Sequence, residues 1–288
     1  MLYANYTSFL AQRFGVEASV EMIADAGFPA VDISMMNMPD PPFCDDWRDL
    51  AKRLNKIAEK RGISYVQGHA PVGKWKDYID NVIPMLPDVF EFAGAVGIPN
   101  LVVHPIMRGY YYDDKDAMFA ENIEFYKNIA PLAKKNGVKI ALENMWQAHR
   151  VSKHIGDCIG ADPNELVRLY KVLNDPAAFT ICLDIGHVAL CSREPEDAIR
   201  VIGDRLGCIH AHDVDYVSDL HVQPGLGKIR WDAVCRALAD VGYNGCFTLE
   251  AGRTYQNFED EVIPSVLKFM SDATAHLVNK IEGYKAAK

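Results

Sequence analysis

Eight short apolar runs, each followed by a longer segment with helical spacing, limit what this chain can fold into. The runs are LYANYTSF, AVDISM, SYVQGHA, NLVVHP, KIALENM, FTICLDIG, CIHAHDV and CFTLEAG. Segments such as VEASVEMIADAG, DWRDLAKRLNKIAEKRG and WDAVCRALADVG lie between them, and most close on glycine, as helix C-termini do. EDEVIPSVLKFMSDATAHLVNKI supplies the eighth helix. Strands that alternate with helices call for a parallel sheet wrapped by helices. Eight such units, with no second compositional regime, predict one α/β domain over residues 1–288, a (β/α)₈ barrel. The 288 residues, 49% of them hydrophobic, suffice for the core of such a barrel.

The strands end on polar residues. His69 closes the third, His104 the fourth, Glu143 the fifth, Asp184 the sixth, His210 the seventh and Glu250 the eighth. Side chains alternate faces along a strand, so the residue two before each ligand shares its face. Before the last four these are Ala141, Cys182, Cys208 and Thr248, all small, whereas the out-of-phase Leu142, Leu183, Ile209 and Leu249 are bulky. The small set and the ligands are expected to point into the barrel, with a site at its C-terminal mouth. Three carboxylates and an imidazole converging there would repel one another without a cation. Glu143, Asp184, His210 and Glu250 therefore predict one divalent metal ion, Mn²⁺, Mg²⁺, Co²⁺ or Zn²⁺; a set without thiolate disfavours a closed structural zinc site. His187, three residues past Asp184, is expected in the loop or first helical turn above the mouth, to contact a substrate hydroxyl or bind a second metal. In DLHVQPGLG, the Pro-Gly pair predicts a tight turn that folds the loop back over the mouth, with Asp219 and His221 as extra metal ligands. His212 is expected only at the rim, and Trp231 as packing at a helix start.

Other function classes are disfavoured. A net charge of −9 argues against a nucleic-acid partner. The apolar runs are far shorter than a membrane span. MLYANYTSFLAQRFG lacks the basic-then-apolar pattern of a signal peptide. Seven scattered cysteines with no C-x-x-C pair predict reduced thiols and a cytoplasmic setting.

The stretches GHAP, VHP, LEN, CLDIGH, IHAHD, DLHVQPGLGKIRW and LEAG, in this order and spacing, resemble the xylose isomerase-like TIM barrels. That superfamily of sugar phosphate isomerases and epimerases includes ketose 3-epimerases and, more distantly, endonuclease IV. The epimerase resemblance implies one divalent metal on Glu143, Asp184, His210 and Glu250, with Glu143 and Glu250 as the acid–base pair and His187 touching substrate. Two positions depart from that pattern: His149 stands where a second glutamate is frequent, and Tyr216 where an arginine is frequent. The endonuclease pattern of nine ligands for three zinc ions can be laid over His69, His104, Glu143, Asp184, His187, His210, Asp219, His221 and Glu250. The loops SMMNMPDPPFCDDW and MRGYYYDDKD are acidic and aromatic, not the cationic surface DNA needs.

The resemblance implies a sugar, sugar phosphate or cyclitol substrate that loses a proton beside a carbonyl to form a metal-stabilised enediolate. Return of the proton gives epimerisation or isomerisation, and loss of a β-hydroxyl gives dehydration. A multi-zinc phosphodiesterase and a non-catalytic sugar-binding barrel are the alternatives. His69, His104, His221, Trp146 and Arg253 are expected to contact substrate, Arg253 through an anion. Arg108, Tyr110, Tyr111, Tyr112, His149, Arg150 and Lys153 lie in loops at the same end and are candidates for shaping substrate choice. Assembly as a homo-oligomer is compatible with the resemblance.

Overall fold

The eight apolar runs form one parallel ring. In the computed structural model, which describes all residues except 37–45, 74, 75 and 77, the strands are β1 (Tyr3–Tyr6), β2 (Ala30–Ser34), β3 (Ser64–His69), β4 (Asn100–Val102), β5 (Lys139–Glu143), β8 (Phe179–Asp184), β9 (Leu206–His210) and β10 (Phe247–Leu249). Their order is β10-β1-β2-β3-β4-β5-β8-β9. The ring closes at the mouth, where Ala211 pairs with Leu249 and Ala211 N–H donates to the Thr248 carbonyl at 2.8 Å. A short antiparallel hairpin, β6 (Trp146–Ala148) and β7 (Ile155–Asp157), stands between β5 and β8.

The helices are α1 (Ser8–Phe14), α2 (Val16–Asp25), α3 (Trp47–Arg61), α4 (Ile83–Val96), α5 (Lys115–Lys135), α6 (Pro163–Leu173), α7 (Ile185–Leu190), α8 (Pro195–Ile202), α9 (Trp231–Asp240) and α10 (Ile263–Ala286). Asp46, Asp114 and Asp162 accept backbone N–H bonds at the starts of α3, α5 and α6, satisfying donors that helix geometry leaves open. Gly62 and Gly97 end α3 and α4 in the left-handed region, as the terminal glycines predicted. No helix of the described residues is long and apolar enough to cross a membrane.

Alternation along the strands sorts the side chains as expected. Leu142, Leu183, Ile209 and Leu249 join the large core beneath the helices. Val102, Ala141, Cys182 and Cys208 pack against one another inside the ring. Ala4, Ala30 and Cys246 with Val66 form a second small interior cluster. A register shift between β2 and β3 sets Asp32 opposite Gln67, whose Nε2 donates to Asp32 Oδ2 at 2.8 Å. The described cysteines are buried free thiols; Cys44 lies outside the described residues.

The long loop after β9 is held by one buried acid. Asp213 Oδ1 accepts the backbone N–H of Val214 and Ile229, each at 3.0 Å. Its Oδ2 accepts Gly225 N–H at 2.7 Å and the Trp231 indole N–H at 2.8 Å. A Cβ on Gly227 would sit 2.4 Å from Asp213 Oδ1, so only glycine lets the chain pass. The loop therefore folds back, as the Pro-Gly pair predicted, around a carboxylate the turn motif did not reveal. Asp213→Ala would strand four donors in a buried setting. It is expected to cost about 3 kcal/mol or more in urea unfolding; a loss below about 1 kcal/mol would show that the loop does not depend on this acid.

Candidate active site

Parallel pairing brings the polar strand ends together: Asp184 pairs with His210, and Glu143 pairs with Cys182, two residues before Asp184. Glu250 follows β10 directly. Glu143, Asp184, His210 and Glu250 each bring a ligand atom to a common centre, all within 4.8 Å of one another. His210 Nδ1 is 2.8 Å from Glu143 Oε1, 3.2 Å from Glu250 Oε2 and 3.9 Å from Asp184 Oδ2. All four residues are buried, and Asp184 is fully so.

The electrostatics follow from that crowding. Burial alone would push the His210 imidazole down, but the charges of Glu250 and Glu143 outweigh it and raise its pKa well above the usual value. The raised pKa reports a strongly negative potential at the centre. Burial opposes ionisation of Asp184 too, yet His187 and His212 hold it below the usual carboxylate range. Glu143 Oε2 is buried without a hydrogen-bond partner, although His104 Nε2 stands 2.9 Å away. Three buried carboxylates converging on one imidazole fit a divalent cation bound by oxygen and nitrogen.

Two further groups flank this centre. His69 Nε2 is 3.1 Å from His104 Nε2, and both rings face Glu143. On the other side His187, His212, Asp219 and His221 bring ligand atoms together. Ring orientations here are set by carbonyls. The Nδ1 atoms of His69, His187 and His221 donate to the carbonyls of Ala70, Asn144 and Glu250 at 2.8, 2.9 and 2.9 Å. A carbonyl only accepts, so each Nδ1 carries a proton; Nε2 of His69 and of His187 is left to act as ligand or acceptor, while Nε2 of His221 faces the Asp219 carboxylate. Burial and neighbouring His104 lower His69 to about 4. Burial would also lower His221, but Asp219 and Glu250 carry it up to about 9.

The mouth opens into a cleft of about 480 Å³. Predicted residues His69, His104, Glu143, Trp146, His187, Asp219, His221, Glu250 and Arg253 line it, with Tyr6, Phe9, Met36, Met107 and Met145. Asp184 and His210 lie beneath, fully or almost fully buried. His187 is in the first turn of α7, where its N–H donates to Asp184 Oδ1 at 2.6 Å.

Several loop candidates are elsewhere. Tyr110, Tyr112 and His149 line a separate groove beside the β6–β7 hairpin. Tyr111 is buried and donates its hydroxyl to Glu165 at 2.7 Å. Arg150 pairs with Asp113, and Arg108 lies 3.5 Å from Glu121. Lys153 is in the exposed turn of the hairpin, at φ 62°. Most of SMMNMPDPPFCDDW lies outside the described residues.

His212 corrects the expectation of a rim residue. It is fully buried, and its Nε2 stands 3.0 and 3.2 Å from the two oxygens of Asp184. The ring stacks on His221 at 3.9 Å, and a Cβ on Gly186 would fall 2.0 Å from it. Asn144 clasps the Asp184 backbone both ways, donating to its carbonyl at 2.9 Å and accepting its N–H at 2.8 Å. Asp32, 4.0 Å from His210 Nε2, is pushed up to about 7 by burial against the pull of His210. Sequence reasoning missed Asn144 and Asp32. The signal for Asp32 was present: a carboxylate in phase with Ala30 and Ser34, between the apolar Val31 and Ile33.

The family model described as xylose isomerase-like TIM barrel matches residues 20–273. A protein of Methanocaldococcus jannaschii, MJ1311, is 28% identical over 267 residues, covering 84% of each chain. The D-psicose 3-epimerase of Ruminiclostridium cellulolyticum is 25% identical over 249 residues, covering 80% of this chain and 76% of that one. The structure of IOLI protein with a binding zinc atom superposes with a TM-score of 0.79 over 98% of this chain and 99% of that one. At 17% identity it shows the shared fold.

His212→Leu would remove the imidazole that stands within hydrogen-bond distance of both Asp184 oxygens. Divalent-metal affinity, read by competition with a chromogenic chelator, is expected to fall about ten- to a hundredfold, with His212→Gln recovering part of it. Native affinity in the Leu variant would remove His212 from the support of Asp184.

Proposed function

The chain belongs to the xylose isomerase-like TIM barrel family, and on that premise we propose that it is a metal-dependent isomerase or epimerase of a small carbohydrate, working by proton transfer beside a carbonyl. The convergence of Glu143 and Glu250 on one buried imidazole at the floor of a small cleft carries this reading. Glu143, Asp184, His210 and Glu250 would hold the ion. A divalent cation bound there supplies Lewis-acid polarisation of substrate oxygens. One glutamate takes the proton from the carbon next to the carbonyl, leaving an enediolate. The other returns a proton: to the opposite face for epimerisation, or to the neighbouring carbon for isomerisation. Loss of a β-hydroxyl instead would make the same site a dehydratase. The proton on His187 Nδ1 is tied to Asn144, so its Nε2 can accept from a substrate hydroxyl. Trp146 gives the cleft an aromatic face of the kind that packs on sugar C–H groups. The D-psicose 3-epimerase relative favours epimerisation among these outcomes, and the zinc-bearing IOLI neighbour favours a divalent metal.

A second reading, a multi-zinc phosphodiesterase, is favoured by one observation: candidate ligand groups flank the central set on both sides. The cleft-lining residues weigh against it, since Arg253 is the lone Lys or Arg among those described there. Cleavage of abasic-site DNA by the metal-loaded protein would favour this reading.

Incubation of the metal-loaded protein with ketoses and cyclitol ketones in D₂O is expected to place deuterium on the carbon beside the carbonyl. Glu143→Gln and Glu250→Gln should each lower turnover by about 10²–10⁴-fold with little change in the thermal midpoint. Prior removal of metal by a chelator should abolish exchange. Undiminished exchange in both variants would refute the assignment of the glutamates.

A further inference from the structure

Most polar groups of the cleft are carboxylates and imidazoles engaged with one another; Arg253 is not. It sits in the short 3₁₀ turn Gly252–Thr254, three residues after Glu250, and lines the cleft. Its backbone N–H donates to the His221 carbonyl at 3.1 Å, and its Nη1 donates to the Asp219 carbonyl at 2.8 Å. These two bonds fix the guanidinium at the rim. The Asp219 carboxylate does not neutralise it, because His221 Nε2 stands 3.1 Å from one oxygen and 3.2 Å from the other. Glu250 Oε2 faces His210 instead, at 3.2 Å.

Among the described residues every other arginine has an acid beside it, save Arg168, which lies over the ring of Phe119. Arg253 has neither. The chain carries 39 acidic side chains against 30 lysines and arginines, so an unpaired guanidinium runs against the general supply of partners. Anchored through one nitrogen, the planar group keeps donors free for an oxyanion, which it can bind through two parallel hydrogen bonds.

We propose that Arg253 binds an anionic group of the substrate, a small polyhydroxylated carbohydrate with one carboxylate or phosphate at the end remote from the reacting carbons. This rests on the carbohydrate reading above and narrows it. A cleft of about 480 Å³ admits one such molecule. Glu250 and Arg253, three residues apart on one segment, would hold its two ends in a fixed relation. The attraction belongs to a rim position and weakens with added salt.

The test uses the metal-loaded full chain and three non-reacting probes of one carbon skeleton: xylitol, xylonate and xylitol 5-phosphate. Their affinities are measured by calorimetry for wild type, Arg253→Gln and Arg253→Lys. At least one anion is expected to bind wild type about ten- to a hundredfold more tightly than xylitol, the span of a charge-assisted hydrogen bond. Which anion gains tells a sugar acid from a sugar phosphate. Arg253→Gln should remove the advantage, and Arg253→Lys should restore part of it. Equal binding of all three probes to wild type would overturn the anionic substrate while leaving the carbohydrate reading in place. An anion advantage that survives in Arg253→Gln would transfer the contact to another group and overturn the role of Arg253. Failure of all three to bind the loaded protein would defeat the carbohydrate reading, and this inference with it.

Discussion

Mutual repulsion among buried carboxylates governs this molecule. Glu143, Asp184 and Glu250 are brought to one point by a parallel sheet whose register leaves them nowhere else to go. Desolvated like charges at this spacing are costly unless compensated. The surroundings supply compensation in layers. His210 stands at the centre, and His212 and the His187 N–H lean on Asp184 from outside. Asn144 fixes the backbone from which Asp184 projects. Beneath them, Ala141, Cys182 and Cys208 leave the polar layer room to lie level. On the function proposed, a divalent cation held by these residues would complete the compensation that one imidazole begins.

The two sides of the mouth are built differently. On the β5–β8 side the candidate ligands come from strand ends and their orientation is inherited from the sheet. On the β9–β10 side Asp219 and His221 ride a long loop, and a loop orders its side chains only if its own backbone is satisfied. Asp213 does that by collecting four N–H donors, and Gly227 and Gly225 let the chain close around it. Through the Asp219 and His221 carbonyls the same loop seats Arg253. Structure-forming and cleft-lining residues are thus stacked on one another.

Much of this was legible in the sequence because a strand repeats every two residues. The contrast between Ala141, Cys182 and Cys208 and their bulky neighbours exposed the inward phase, and with it the four central residues. His212 was misjudged because the same phase was carried past the end of β9. The chain leaves the strand at Ala211, which pairs with Leu249, and the His212 ring drops onto Gly186, a position with no Cβ to exclude it. The tyrosines at 110–112 were set at the mouth by loop position alone. Three-residue strands give no readable period, so the β6–β7 hairpin beside them was invisible. Asp213 could not be distinguished from any other loop acid without knowing that four donors, spread from Val214 to Trp231, would meet it.

Metal content and stoichiometry of the protein purified without chelator bear most directly on the central cation. Elemental analysis should find close to one manganese, magnesium, cobalt or zinc ion per chain, and none in a folded Asp184→Ala/Glu250→Ala double variant. A wild-type protein that binds no divalent metal, or a double variant that keeps the full complement, would contradict a cation held by these residues. Close to three zinc ions per chain would instead place the flanking histidine groups in the same chemistry and turn attention to phosphodiesters.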